Sequence, residues 1–165
     1  MATLTPDDFW ATIASAWSQV RGGKHATSAI CTKRSYLRPA AVLAINALLP
    51  DMLKALERSL RSYSKADLRA WDEYVHAAVD ELNRPDVRAA LDSASDDSFM
   101  FARAWIVCAG REYYACVEGM PAAFAVHYQW ADDILSTAQR ACRQPRQGRR
   151  SMSESRRIRH QNDEM

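Results

Sequence analysis

Apolar residues along this chain recur every three or four positions, the spacing that gathers them on one face of a helix, and no stretch alternates convincingly as a strand. Phe9, Ile13, Trp17 and Val20 share such a face. The residues before them form a helix start: Thr5 as N-cap, Pro6 at the first helical position, Asp7 and Asp8 at the positive end of the dipole, and Leu4 placed to pack on Phe9. Gly22 and Gly23 end this helix, and residues 21–38 carry no period and read as an exposed basic loop. Two helices follow, 39–49 and 51–63, separated where Pro50 disfavours a helical Leu49. Met52, Leu56, Leu60 and Tyr63 are the inner stripe of the second.

The cleanest amphipathic pattern comes next. Ser64 and Asp67 resemble a capping box, after which Leu68, Trp71, Val75, Ala78, Val79 and Leu82 face inward while Arg69, Asp72, Glu73, His76 and Asp80 face out. Pro85 restarts a short helix with Val87 and Leu91. Ser95-Asp96-Asp97 opens another, whose residues 99–109 are apolar on every face except at Arg103. A helix of that kind belongs at the centre of a bundle. Gly110, Gly119 and Pro121 punctuate the remainder, and a last helix is expected over 121–141. The pattern predicts an all-α, single-domain irregular bundle of about six to eight helices over residues 1–141, with an Arg-rich, disordered tail over 142–165.

Composition narrows this picture without changing it. At 165 residues, 48% hydrophobic and 25% charged, the chain suits one soluble globular domain. Its net charge of +2 conceals an uneven distribution. Residues 138–165 hold eight arginines against three acids, residues 21–38 hold five basic residues and no acid, and the rest of the chain carries the compensating negative charge. Stretches free of charge, 39–50 and 119–131, fall short of the roughly 20 apolar residues that span a bilayer. Asp7 and Asp8 stand where a secretory leader would be basic and then apolar, and the four cysteines form no C-x-x-C pair. A cytoplasmic location with free thiols is the expectation.

From Ser95 to Pro121 the string S-D-D-S-F-M-F-A-R-A-W-I-V-C-A-G-R-E-Y-Y-A-C-V-E-G-M-P resembles the signature of a bacterial family known as domain of unknown function 4240, whose members show S-D-D-x-F, then R-x-W-L-I, then Q-G-R-x-x-Y and a nearby Pro. Phe9-Trp10 with Ile13 is similar to that family's F-W-x-x-I opening, and Leu60 to Trp71 to its L-S-x-E-E-I-x-x-F stretch. The chain departs from the pattern at Cys108-Ala109, where Ser-Gln is common, at residues 84–90, which lack tryptophan, and at residues 21–50, which resemble an insertion. The resemblance implies a helical domain and brings no activity with it.

Among individual residues Arg103 is the most informative, because a guanidinium inside an apolar helix requires a partner. Asp96 on the same helix, Asp72 and Asp80 on the preceding long helix, and Asp97 are the candidate carboxylates, and a ligand-anion site shared with Arg111 is the functional alternative. Asp72, His76 and Asp80 lie at i, i+4 and i+8, a spacing that could serve a metal or a general base but more commonly marks a solvated face. Nucleophile elbows, phosphate loops, dinucleotide fingerprints and zinc spacings are all absent from the sequence, so it implies no catalytic residue, metal or cofactor. The expected function is a small non-catalytic protein–protein interaction module, of the kind that serves as a regulatory, inhibitor or immunity-type accessory protein in a bacterium or phage. The alternative is phosphate-backbone binding by Lys24, Lys33 and Arg34 in the basic loop and by Arg146, Arg149, Arg150, Arg156 and Arg157 in the tail.

Overall fold

Thr5 caps the first helix as its sequence requires. In the computed structural model its hydroxyl accepts from the Asp8 N–H at 3.2 Å, while the Asp8 carboxylate accepts from the Thr5 N–H at 3.0 Å. This helix, α1 (Pro6–Ser18), buries Phe9, Ile13, Ala16 and Trp17. The structure describes residues 4–31, 38–93, 95–124 and 133–143. The remaining helices are α2 (Gly23–Ile30), α3 (Arg38–Leu60), α4 (Lys65–Glu81), α5 (Pro85–Leu91), α6 (Asp96–Ala109), α7 (Arg111–Gly119), α8 (Pro121–Phe124) and α9 (Asp133–Arg143). No strand occurs among the described residues, and the architecture is all-α.

The predicted central helix is central. Nine residues of α6 are buried, among them every one from Ala102 to Ala109, and it packs on α4 and α7. Two indole donors tie it to α1 and α3. Trp17 Nε1 of α1 donates to the Cys108 carbonyl at 2.7 Å, and Trp105 Nε1 of α6 donates to Asn46 Oδ1 of α3 at 2.7 Å. α9 closes the bundle by packing between α3 and α4.

Two sequence expectations are corrected. Pro50 does not separate two helices: α3 runs unbroken through it. Proline removes one backbone hydrogen bond, but Ile45, Leu49, Met52, Leu53 and Leu56 on either side of it are all buried, while Pro50 itself faces solvent. Packing along one continuous face outweighs the local break. By length and composition Pro39–Leu60 would also suffice to cross a bilayer. Here its inner face lies in the core.

The segment 21–38 is not wholly a loop. Residues Gly23–Ile30 form α2, which lies against α3 with Gly23, Ala26 and Ile30 buried. The signal is weak because only three small or medium residues carry it, and Lys24, His25, Thr27 and Ser28 dilute the hydrophobic contrast. Two glycines make the helix possible. Gly22 precedes it with φ of 84°, in the left-handed region, and a Cβ on Gly23 would stand 2.4 Å from the Trp17 carbonyl oxygen. Lys33, Arg34 and the tail arginines from Arg146 onward lie outside the described residues, as does the expected disorder of the tail.

Gly23→Ala tests whether this junction is as tight as it looks. The extra methyl meets backbone rather than a movable side chain, so equilibrium urea unfolding should show a loss of about 1–3 kcal/mol. An exposed loop would tolerate the change with no shift in midpoint.

Candidate functional site

Two features of the structure bear on function: the surroundings of Arg103 and a groove beside α1. Arg103 is 7% exposed. Its Nη1 donates to the Val79 carbonyl at 2.9 Å and its Nε to the Phe99 carbonyl at 3.3 Å. Val79 belongs to the last turn of α4, where carbonyls have no partner within the helix and where a positive charge is favoured by the dipole. The guanidinium also lies 4.5 Å from the centre of the Phe99 ring, and Arg88 approaches the same ring at 4.6 Å. Burial lowers the pKa of Arg103; the Asp80 charge opposes that shift and Arg88 adds to it.

The candidate carboxylates are distributed differently from the expectation. Asp96 pairs with Arg88, not with Arg103. Asp80 stands 4.0 Å from Arg103 but is 80% exposed, so it contributes as a screened surface charge. Asp72 is 4.0 Å from His76, and Asp97 lies exposed in the first turn of α6. Arg111 pairs with Asp7 of α1 at 2.7 Å. An anion site shared by Arg103 and Arg111 is therefore not formed, because Arg103 is committed to the end of α4 and Arg111 to the start of α1. No three His, Cys, Asp or Glu side chains are grouped to hold a metal ion among the described residues.

The groove was not anticipated. It has a volume of about 460 Å³ and is open to solvent. Trp10, Ala11, Ala14 and Trp17 of α1 form its floor, Lys24, Thr27 and Ser28 of α2 one wall, and Gly110, Arg111 and Glu112 at the α6–α7 junction the other. Asp7 completes the rim. Of the predicted nucleic-acid residues only Lys24 is described, and it faces this groove. Thr27 is committed to its own helix, donating to the carbonyls of Gly23 and Lys24 at 3.2 and 3.1 Å. A sequence signal for the groove exists in retrospect: Trp10, Ala11 and Ala14 widen the apolar arc of α1 beyond the stripe that Phe9 and Ile13 bury.

These contacts make Arg103 a structural cap with a measurable signature. Arg103→Met should lower unfolding free energy by about 1.5–3 kcal/mol, the range for a charged group hydrogen-bonded to backbone. Asp80→Asn should stay within about 1 kcal/mol, as exposed ion pairs do. Equal losses in the two variants, measured by urea unfolding, would make the carboxylate the true partner.

Comparison with curated proteins and with solved structures gives no match. The profile of a family described as protein of unknown function (DUF4240) matches residues 46–144, from the middle of α3 through α9. The opening Phe9-Trp10 resemblance lies outside that match, and the Ser95–Pro121 stretch lies within it. Spanning more than half of the sequence, the match establishes that this chain belongs to the family of domain of unknown function 4240.

Proposed function

We propose that this chain is a cytoplasmic, non-catalytic protein-binding module that takes an extended segment of a partner protein into the groove between α1, α2 and the α6–α7 junction. One observation carries the reading: an apolar floor with two tryptophans is bordered by charges of both signs. Lys24, Arg111, Asp7 and Glu112 line it, with Arg111 and Asp7 paired to each other at 2.7 Å. Such a surface suits an apolar anchor flanked by one acidic and one basic residue, the division into apolar centre and polar rim that protein interfaces use. Duplex nucleic acid is a poorer fit, because Asp7 and Glu112 would face its phosphates. Among the described residues that line the groove there is no histidine or cysteine, and the hydroxyl of Thr27 is bonded to helix carbonyls. A regulatory, inhibitor or immunity-type role would use a site of this kind.

The test is selection from a random-peptide display library on the full chain, repeated with Ala14→Arg. Ala14 is exposed, so the change should leave stability within about 0.5 kcal/mol while its long side chain fills the groove. Peptides sharing an apolar anchor between charged residues are expected, with affinity at least about tenfold weaker for the variant. Absence of enrichment, or binding indifferent to Ala14→Arg, would defeat the reading. Salt-sensitive binding to unrelated DNA duplexes in its place would favour the nucleic-acid alternative.

A further inference from the structure

Four charged side chains line the groove, and two of them neutralise each other. Arg111 and Asp7 bond at 2.7 Å, and an acid brought to Arg111 would also meet the Asp7 carboxylate. Lys24 and Glu112, both exposed and on opposite walls, form no ion pair among the described residues. The hydroxyls of the α2 wall divide in the same way. Thr27 donates to the Gly23 and Lys24 carbonyls, whereas Ser28 is exposed and makes no hydrogen bond among the described residues. Lys24 and Ser28 are four residues apart in one helix, so an unpaired ammonium and an unused hydroxyl stand one turn apart on the same wall. The helix dipoles make the two walls unequal. The first turn of α2 holds Lys24 and no acid, so the two positive fields add, while Glu112 lies in the first turn of α7, where the dipole offsets its charge.

We propose that Lys24 and Ser28 form the subsite for one carboxylate side chain of the partner segment, the Lys24 ammonium and the Ser28 hydroxyl both donating to it, while Glu112 on the facing wall takes the segment's basic residue. Resting on the peptide-binding reading of the groove, this assignment states which residues choose the partner. The apolar anchor lies on the tryptophans of α1, and the acid and the base fall on opposite sides of it because their subsites are on opposite walls. The acid is read more strongly than the base, since the dipole of α2 reinforces Lys24 and that of α7 weakens Glu112. A run of acids is disfavoured, because Asp7 and Glu112 stand across from Lys24.

The experiment selects peptides from a random display library on the full chain and on its Lys24→Glu, Glu112→Lys and Arg111→Ala variants, which alter exposed positions and should retain the urea midpoint. Peptides taken by the unaltered chain should carry Asp or Glu on one side of the apolar anchor and Lys or Arg on the other. Lys24→Glu should exchange the acid for a base, Glu112→Lys should exchange the base for an acid, and Arg111→Ala should keep the acid. One selected peptide is then compared with its counterpart in which the acid is replaced by its amide. Lys24→Ala should weaken the acidic peptide about three- to fivefold at low ionic strength and leave the amide peptide unchanged, the size expected of an exposed pair. Ser28→Ala should weaken the acidic peptide about threefold, the loss of one hydrogen bond, and Thr27→Val should not weaken it. An acid preference that survives Lys24→Glu, one that disappears only in Arg111→Ala, or equal weakening of both peptides by Lys24→Ala would overturn the assignment and leave the groove reading in place. Apolar anchors enriched with no acid beside them would do the same. No enrichment on any of the chains would defeat both.

Discussion

Helix C-termini that end inside the bundle are the constraint from which much of this structure follows. The last carbonyls of a helix have no partner in the helix itself, and here α4, α6 and α7 carry no basic residue in their last turn to offset the dipole. Donors are imported from other elements. Arg103 serves Val79, and the Tyr114 hydroxyl lies 3.1 Å from the Ala78 carbonyl and 2.7 Å from Glu81, both at the end of α4. Trp17 serves Cys108 at the end of α6 and Tyr113 serves Phe124 at the end of α8 at 2.7 Å; the end of α7 is exposed, and there Arg84 reaches the Glu118 carbonyl at 3.0 Å at the surface. Burial and its bond to Glu81 raise the Tyr114 pKa, so its proton stays available as a donor. Leaving such a carbonyl dry and unpaired would cost about 1–3 kcal/mol each, so these side chains fix which helix ends meet which helices.

That arrangement explains why the helices were more legible than their assembly. Capping residues and periodic stripes are local, and Thr5, Ser64 and Ser95 announce α1, α4 and α6 directly: each hydroxyl accepts from the backbone N–H three residues on. Pro50 misleads because its local cost is visible in sequence while the buried face that overrides it is a property of the packed bundle. Residues Gly23–Ile30 are hidden for the opposite reason. Their helix depends on a contact with Trp17 too close for any side chain, and a pair of glycines reads as a terminator unless the neighbour is known.

The site was legible in one half of its logic. A guanidinium in an apolar helix needs a partner, and that inference holds for Arg103; the identity of the partner did not follow. Sequence reasoning looks for a carboxylate because only side chains are written in the sequence, whereas the strongest acceptor available was a backbone carbonyl at the end of α4. Arg88, which approaches Phe99 and holds Asp96, was overlooked because it lies on α5, away from the signature stretch. The groove has no motif at all. It lies between α1, α2 and the α6–α7 junction, and its trace in the sequence is the widened apolar arc of α1 at Trp10, Ala11 and Ala14, which does not say what stands opposite.

The position of the groove relative to the family match gives it a particular meaning. The matched residues, 46–144, contain the central helix, the buried arginine and the imported caps apart from Trp17, which reaches in from α1. The floor and one wall of the groove come from α1 and α2, which precede the match, and only Ala109 to Glu112 come from within it. The groove therefore lies between the matched residues and those that precede them. Changing α1 and α2 would reshape the floor while leaving the interactions around Arg103 untouched. Within the floor itself the residues divide: Ala11 and Ala14 are exposed and hold nothing in the core, whereas Trp17 is buried and donates to the Cys108 carbonyl, so changing it would reach the bundle as well as the groove.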